Sequence, residues 1–496
     1  MDMAADISVP GATAVASLDA GIRSDNDLLR TLVVAVGLGC SILFIVVGVR
    51  YGLQMYADGS AFSYAIAVDD AWAFHWHNIS GRLFVYLYSS VPAEIYVRLT
   101  GDAHGAIVIY GLLFFAAPLF GLVATFVADR SIGRVVFSYA CCSTACLCPL
   151  VFGFPTEMWV AHSIFWPTLA ACHYALGGTR GIVLVFAMML ALVLTHGGAL
   201  ILAAAILATL SLRGARDPAF LRAAGVFFTV LAIWTTVKAM FPPDDYLAAV
   251  LLRAALHVFD PGILSDYLIV LLGGTLTSYA IGVSLLKRLS VPNAHVYAAS
   301  IVAGGLFLYW SELDHSLHAD SRYGMRTVLI VMTPVLGALA VAHAFRSDGR
   351  FGFPWLRRTM IALTGAATSR TIAGALVLVM LVHAVETVKF VAAWSRYERA
   401  VKTQAVGSSS DPALGDPQFV SSRRIGADLN RLSWFSTTHF LSVLVAPKLA
   451  PARLVIDPDS NFFWLSCKTA TANLVASHAV PTESRRLIRA YSCLHR

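Results

Sequence analysis

One stretch, Ala67-Val-Asp-Asp-Ala-Trp-Ala-Phe-His-Trp-His-Asn-Ile-Ser-Gly-Arg82, places two adjacent carboxylates, Asp69 and Asp70, ahead of two histidines, His75 and His77, and an arginine, Arg82. A carboxylate can take a proton from an incoming hydroxyl, and an arginine can hold a departing anion. The stretch follows the first apolar segment, and charged groups at a membrane are costly unless they meet something polar. The plainer alternative is a solvated loop anchored in the interface by Trp72 and Trp76.

Three further stretches supply polar groups. Glu157 and His162 flank a short turn, Asp244, Asp245 and Asp260 lie in one segment, and Glu312, Asp314, His315, His318, Asp320, Arg322 and Tyr323 form another. The first stretch offers the base, Asp69 or Asp70. The substrate-binding set is Arg82, His75, His77, Glu157, Asp320, Arg322 and Tyr323, with Arg322 as the phosphate cation. Asp244 and Asp245 follow two prolines and also suit the start of a helix. His315 and His318, spaced i and i+3 beside Asp314, could ligate a metal or simply be solvated. His196, before two glycines, could bond to backbone where a helix breaks. No cofactor is demanded, and a divalent cation is compatible with the set. The run Cys141-Cys-Ser-Thr-Ala-Cys-Leu-Cys148 lies in an apolar segment without companions at zinc-site spacing, so small packing residues are the better reading.

The elements that must position these groups are read from composition. The 496 residues are 58% hydrophobic and 13% charged, with a mean hydropathy of +0.71, which sets the chain far from soluble domains. A net charge of +7 could suggest nucleic acid, but the basic residues sit in short loops between apolar runs instead of on one patch. At about 20 residues per crossing, about eleven spans fit. They cover approximately 31–50, 105–127, 135–153, 159–176, 181–196, 198–212, 223–241, 262–286, 295–310, 327–344 and 371–390.

With these alternating, Arg130 and Arg134, Arg180, Arg213, Arg216 and Arg222, Lys287 and Arg288, and Arg346 to Arg358 share one side, which the positive-inside pattern makes cytoplasmic. The unusual polar residues then face outward. The expected fold is an all-α polytopic membrane protein with interfacial helices in the first outer loop and a small mixed outer domain at the C-terminus. Residues 1–30 lack the basic start and short apolar run of a signal peptide and are expected to be an uncleaved cytoplasmic polar tail, with 31–393 the transmembrane domain and 394–496 a small periplasmic domain. Cys467 and Cys493 would there meet an oxidising compartment and could pair.

No Walker loop, Gly-x-Ser-x-Gly elbow or His-Glu-x-x-His pair is present, which removes the usual signatures of ATP hydrolysis, serine hydrolysis and zinc proteolysis. An ion-coupled carrier or flippase for a lipid-linked or polar solute is the competing class, yet carriers collect charge near mid-membrane, whereas here it collects at outer ends.

The N-in first span, the long first outer loop with Asp69-Asp70, its interfacial segments, and Asp320-Ser-Arg-Tyr323 before a late span resemble the GT-C superfamily of membrane glycosyltransferases. In many members a proline follows the Arg-Tyr pair closely; here Gly324-Met-Arg-Thr follows. The resemblance implies transfer, with inversion, of a sugar from a polyprenyl-phosphate donor to a lipid or glycan acceptor at the outer face of a bacterial inner membrane. Asp69 or Asp70 would be the base, and Arg322, with Arg82, would hold the donor phosphate. Membrane lipids are the other partners, and no nucleic acid is expected. Asp69→Asn and Asp70→Asn are expected to abolish product formation while leaving expression and donor binding intact, measured by transfer assay on purified variants.

Overall fold

The structure, a computed structural model, describes residues 11–67, 82–211, 214, 216–240, 261–318, 321–347, 366–407, 419–434, 437–449 and 451–456. Of these residues 84% are helical. All eleven apolar segments form helices. In chain order these are α1 (Gly11–Arg50), α4 (Ala103–Ala128), α5 (Val135–Val151), α6 (Glu157–Tyr174), α7 (Thr179–Val193), α8 (Ala199–Ser211), α9 (Pro218–Met240), α10 (Tyr267–Arg288), α11 (Ala294–Leu308), α12 (Ser321–Ser347) and α13 (Ala366–Val406). Between α1 and α4 lie α2 (Asp58–Ala67) and, after a π turn at Tyr86–Ser90, α3 (Val91–Thr100). Among the described residues seven helices are long and apolar enough to cross a membrane. That fits an all-α polytopic membrane protein; of the other four, α5, α7 and α8 fall short of the usual crossing length, and α6, with Glu157, His162 and His173 along it, is not among the seven.

The bundle centres on α1, α4, α5, α6 and α12, whose facing side chains share one core. Trp159, Phe114, Phe115, Phe152 and Phe165 are almost fully buried there. The indole Nε1 of Trp159 donates to the Phe114 carbonyl at 3.1 Å, so this bulky anchor leaves no orphan donor. The cysteines of α5 belong to the same packing. Cys141 and Cys148 are buried, and Cys148 lies 3.5 Å from His162 Nδ1.

α13 has 41 residues, roughly 60 Å at 1.5 Å per residue, about twice a hydrocarbon core. Its last turns carry the C-terminal segment, and Arg453 N–H donates to the Ala405 carbonyl at 3.0 Å. That segment holds β1 (Phe419–Ser421) and β2 (Leu454–Ile456), paired in parallel, with α14 (Ala427–Asn430) and α15 (Thr438–Val445) between them. Leu432, Leu441 and Val455 join the bundle core, so the described part of this segment packs onto the helices as a continuation of them. Cys467 and Cys493 lie outside the described residues.

One side chain pins three elements. Arg322, in the first turn of α12, is 3% exposed. Its Nη1 donates to the carbonyls of Pro149 (3.2 Å) and Phe152 (2.5 Å) at the end of α5, and its Nη2 donates to that of Glu386 in α13 (3.2 Å). Its guanidinium also lies 4.1 Å over the Phe390 ring. Carbonyls at a helix end lack intrahelical donors, and a cation placed there satisfies both that need and the helix dipole. Arg322→Met is expected to cost about 1–3 kcal/mol, because the buried Phe152 carbonyl loses its donor while those of Pro149 and Glu386 keep backbone partners. Thermal unfolding of the detergent-solubilised protein checks this, and Arg322→Lys should recover only part, since an ammonium cannot reproduce the fork.

Candidate functional site

Asp58 opens α2 eight residues beyond the end of α1, and the local sequence explains its place. Ala57 takes a left-handed conformation (φ 49°), which turns the chain sharply into the helix. Gly59 follows because a side chain there would collide with the Gln54 carbonyl and with Pro155. This close approach sets Asp58 against the turn that leads into α6, where Thr156 caps the helix and Glu157 is its first residue.

Glu157 is bonded to Arg82 at 2.6 Å, with the carboxylate side chain 8% and the arginine 30% exposed. A carboxylate at a helix N-terminus is favoured by the dipole, and the arginine completes its compensation. Both residues line a cleft whose other walls are Phe62, Val85, Tyr86, Tyr110, Phe114 and Ser90.

The second cation comes from α12. Arg326 lies one turn beyond Arg322 and stacks on the Tyr323 ring at 3.7 Å, with Phe154 behind at 5.5 Å. Its Nε donates to the Tyr323 carbonyl (3.1 Å), and among the described residues its Nη atoms make no hydrogen bond. Trp434, from the C-terminal segment, packs on Tyr323 and Phe154 and donates its indole N–H to Asp58 Oδ1 at 3.0 Å. Thr437 reinforces the junction by donating its hydroxyl to the Ala57 carbonyl at 2.8 Å.

Burial pushes the Asp58 carboxyl above its ordinary range; Arg82 opposes this, Glu157 adds to it, and Arg326 and the Trp434 indole pull it back down. His196, in the turn between α7 and α8, feels the same two arginines. Burial first, then Arg82 and Arg326, hold its pKa down to about 3, so the ring is neutral. Lys238, in the last turn of α9, is within electrostatic range of Arg82. The chain matches no protein-family model and no curated protein.

The sequence-derived set divides accordingly. Arg82 and Glu157 come together, and Tyr323 supports Arg326. Arg322 stands one turn away with its donors on backbone carbonyls. Asp69, Asp70, His75, His77 and Asp320 lie outside the described residues, as do Asp244, Asp245 and Asp260. Asp314 belongs to a neighbouring network, accepting from Tyr267 Oη and Lys389 Nζ, each at 2.7 Å, while His318 stacks on Tyr267 with ring centres 3.4 Å apart. Burial alone would raise the Asp314 carboxyl, but Lys389, Tyr267 and His318 together hold it below the usual range. His315 is exposed. Among the described residues no three His, Cys, Asp or Glu side chains gather as metal ligands.

Sequence reasoning passed over Asp58, Arg326 and Trp434. The one signal was the Asp58-Gly59 pair directly after the first span, where a glycine marks close backbone approach.

Asp58 is expected to stay protonated to a higher pH than a free aspartate, about 3.9. Folding raises its midpoint, so its contribution to stability is present below the ordinary value and disappears as pH rises through the shifted one. Glu157→Gln is expected to lower that midpoint and Arg82→Gln to raise it. Infrared titration of the carboxyl band, with Asp58→Asn as blank, measures both.

Proposed function

We propose that the chain is a glycosyltransferase of the GT-C type, moving a sugar from a polyprenyl-phosphate donor to an acceptor hydroxyl with inversion. The observation that carries this reading is the convergence of Asp58, with its raised pKa, on Arg82 and Arg326 beside an aromatic cleft at one end of an apolar bundle. A carboxylate with a raised pKa is a stronger base toward a hydroxyl than an ordinary aspartate, and two guanidiniums suit a leaving phosphate.

In this scheme Asp58 takes the acceptor's proton as the acceptor oxygen attacks the anomeric carbon from the face opposite the phosphate. The bond from that carbon to the phosphate oxygen breaks, and the phosphate leaves with the bonding electrons toward Arg82 and Arg326. The proton on Asp58 then passes to solvent. Glu157 holds Arg82 in place. The role assigned from sequence to Arg322 passes to Arg326, because the Arg322 fork is occupied by carbonyls. Asp69 and Asp70 belong to the same loop and are the competing base.

Eleven crossings with a cytoplasmic N-terminus would set this end at the outer face, beneath a periplasmic C-terminal segment. The exposed Leu87, next to Tyr86 of the cleft, and Ile95 and Leu99 on α3 then give the donor's lipid chain an apolar surface.

Asp58→Asn is expected to lower kcat by about 10²–10⁴-fold with donor affinity retained, the range for loss of a general base. Arg326→Ala should chiefly raise the donor KM. Transfer is measured with purified variants and polyprenyl-phosphate sugars. Full activity in Asp58→Asn with loss in Asp69→Asn or Asp70→Asn would move the base to the acidic pair. Uptake of solute into vesicles without any acceptor would favour the carrier class instead.

A further inference from the structure

The turn Thr195-His-Gly-Gly198 joins α7 to α8 in the middle of this charge cluster. Its place is given by three contacts. Phe84 N–H, two residues from Arg82, donates to the Leu194 carbonyl at 3.1 Å. Gly198 packs against Ile330, one helical turn beyond Arg326, and against Met158, the residue after Glu157. The turn that carries His196 is therefore packed against the segments that carry Arg82, Arg326 and Glu157, and both arginines act on its ring.

The Gly198 N–H donates to His196 Nδ1 at 3.0 Å. A ring nitrogen that accepts a hydrogen bond carries no proton, so in the neutral ring the proton is on Nε2. A side chain at 198 would press on Ile330 and on the imidazole itself, which is why glycine allows the amide to reach the ring. Among the described residues Nε2 makes no hydrogen bond, and His196 is only partly buried. The result is an oriented, uncharged N–H in a cationic setting.

We propose that His196 is a binding residue whose Nε2–H donates to the tetrahedral oxyanion faced by Arg82 and Arg326. The identity of that anion as the donor's phosphate rests on the glycosyltransferase reading. A neutral donor adds a hydrogen bond to the anion without adding positive charge, so the field that keeps Asp58 a usable base is unchanged. The anion then meets donors from the first loop, from α12 and from the turn between α7 and α8, which fixes its orientation as well as its charge.

The test uses the full chain in lipid nanodiscs. Nitrogen-15 spectra of the histidine-labelled protein, with the His196 signal assigned by its loss in His196→Asn, are expected to show the Nε2–H tautomer; an Nδ1–H tautomer overturns the proposal. Binding of a polyprenyl phosphate is then compared with that of the matching polyprenol by native mass spectrometry. His196→Asn keeps an acceptor for the Gly198 amide but has nothing at the Nε2 position. His196→Gln places an amide N–H there and gives up the turn bond. Loss of one donor to an anion corresponds to about tenfold weaker phosphate binding, expected for His196→Asn, with His196→Gln within about threefold of wild type and polyprenol binding unchanged in both. Wild-type affinity in His196→Asn overturns the proposal. So does equal weakening in both variants, and so does a wild type without preference for the phosphate. Intact transfer by Asp58→Asn would instead sink the assignment of the base while leaving the His196 result standing.

Discussion

A helix that ends inside a bundle leaves carbonyls with no donor and no water, and much of this molecule's order follows from how that need is met at the end of α5. Arg322 reaches across from α12, takes carbonyls from α5 and α13 together, and covers itself with Phe390. A fork with five donors can serve several acceptors in one plane, which an ammonium cannot. Because this arginine fixes the first turn of α12, the next turn has a defined direction. Arg326 leaves the helix there and comes to rest on Tyr323.

The charges beyond that point are arranged so that none is isolated. Glu157 has Arg82 at 2.6 Å and the positive end of α6 beneath it. Asp58 has the Trp434 indole and two arginines at longer range, which restrains the effect of burial without abolishing it. The neighbouring network of Asp314, Lys389, Tyr267 and His318 follows the opposite course: direct contact with a cation holds its carboxylate ionised. Two acids at the same end of one bundle thus have opposite proton affinities. Asp58 is the more deeply buried of the two, and Asp314 has direct donors in Lys389, Tyr267 and His318, so desolvation prevails at the first and its partners at the second.

Much of the fold was legible in the sequence because hydropathy over twenty residues is a strong signal, and every apolar run proved helical. The site was legible only in part. Arg82 and Glu157 stood out as ions in apolar surroundings. Arg322 and Arg326 have the same residue type one turn apart, and spacing alone does not say which turn faces carbonyls and which faces a cleft. Asp58 is a single carboxylate between Ala57 and Gly59, with none of the density that drew attention to Asp69 and Asp70. Trp434 is separated from Asp58 by 376 residues, so only the tertiary fold brings them together.

That separation sets an order on how the protein is made. α13 stands roughly twice as tall as a bilayer core and carries the strands and helices that bring Trp434 over α2. A nascent chain that has inserted every helix through α13 still lacks the indole and the Thr437 hydroxyl that seat the start of α2. The start of α2 is seated only once the segment carrying Trp434 and Thr437 has folded back over it. A chain that stops short of that segment therefore leaves Asp58 without its indole donor, however well its helices are packed.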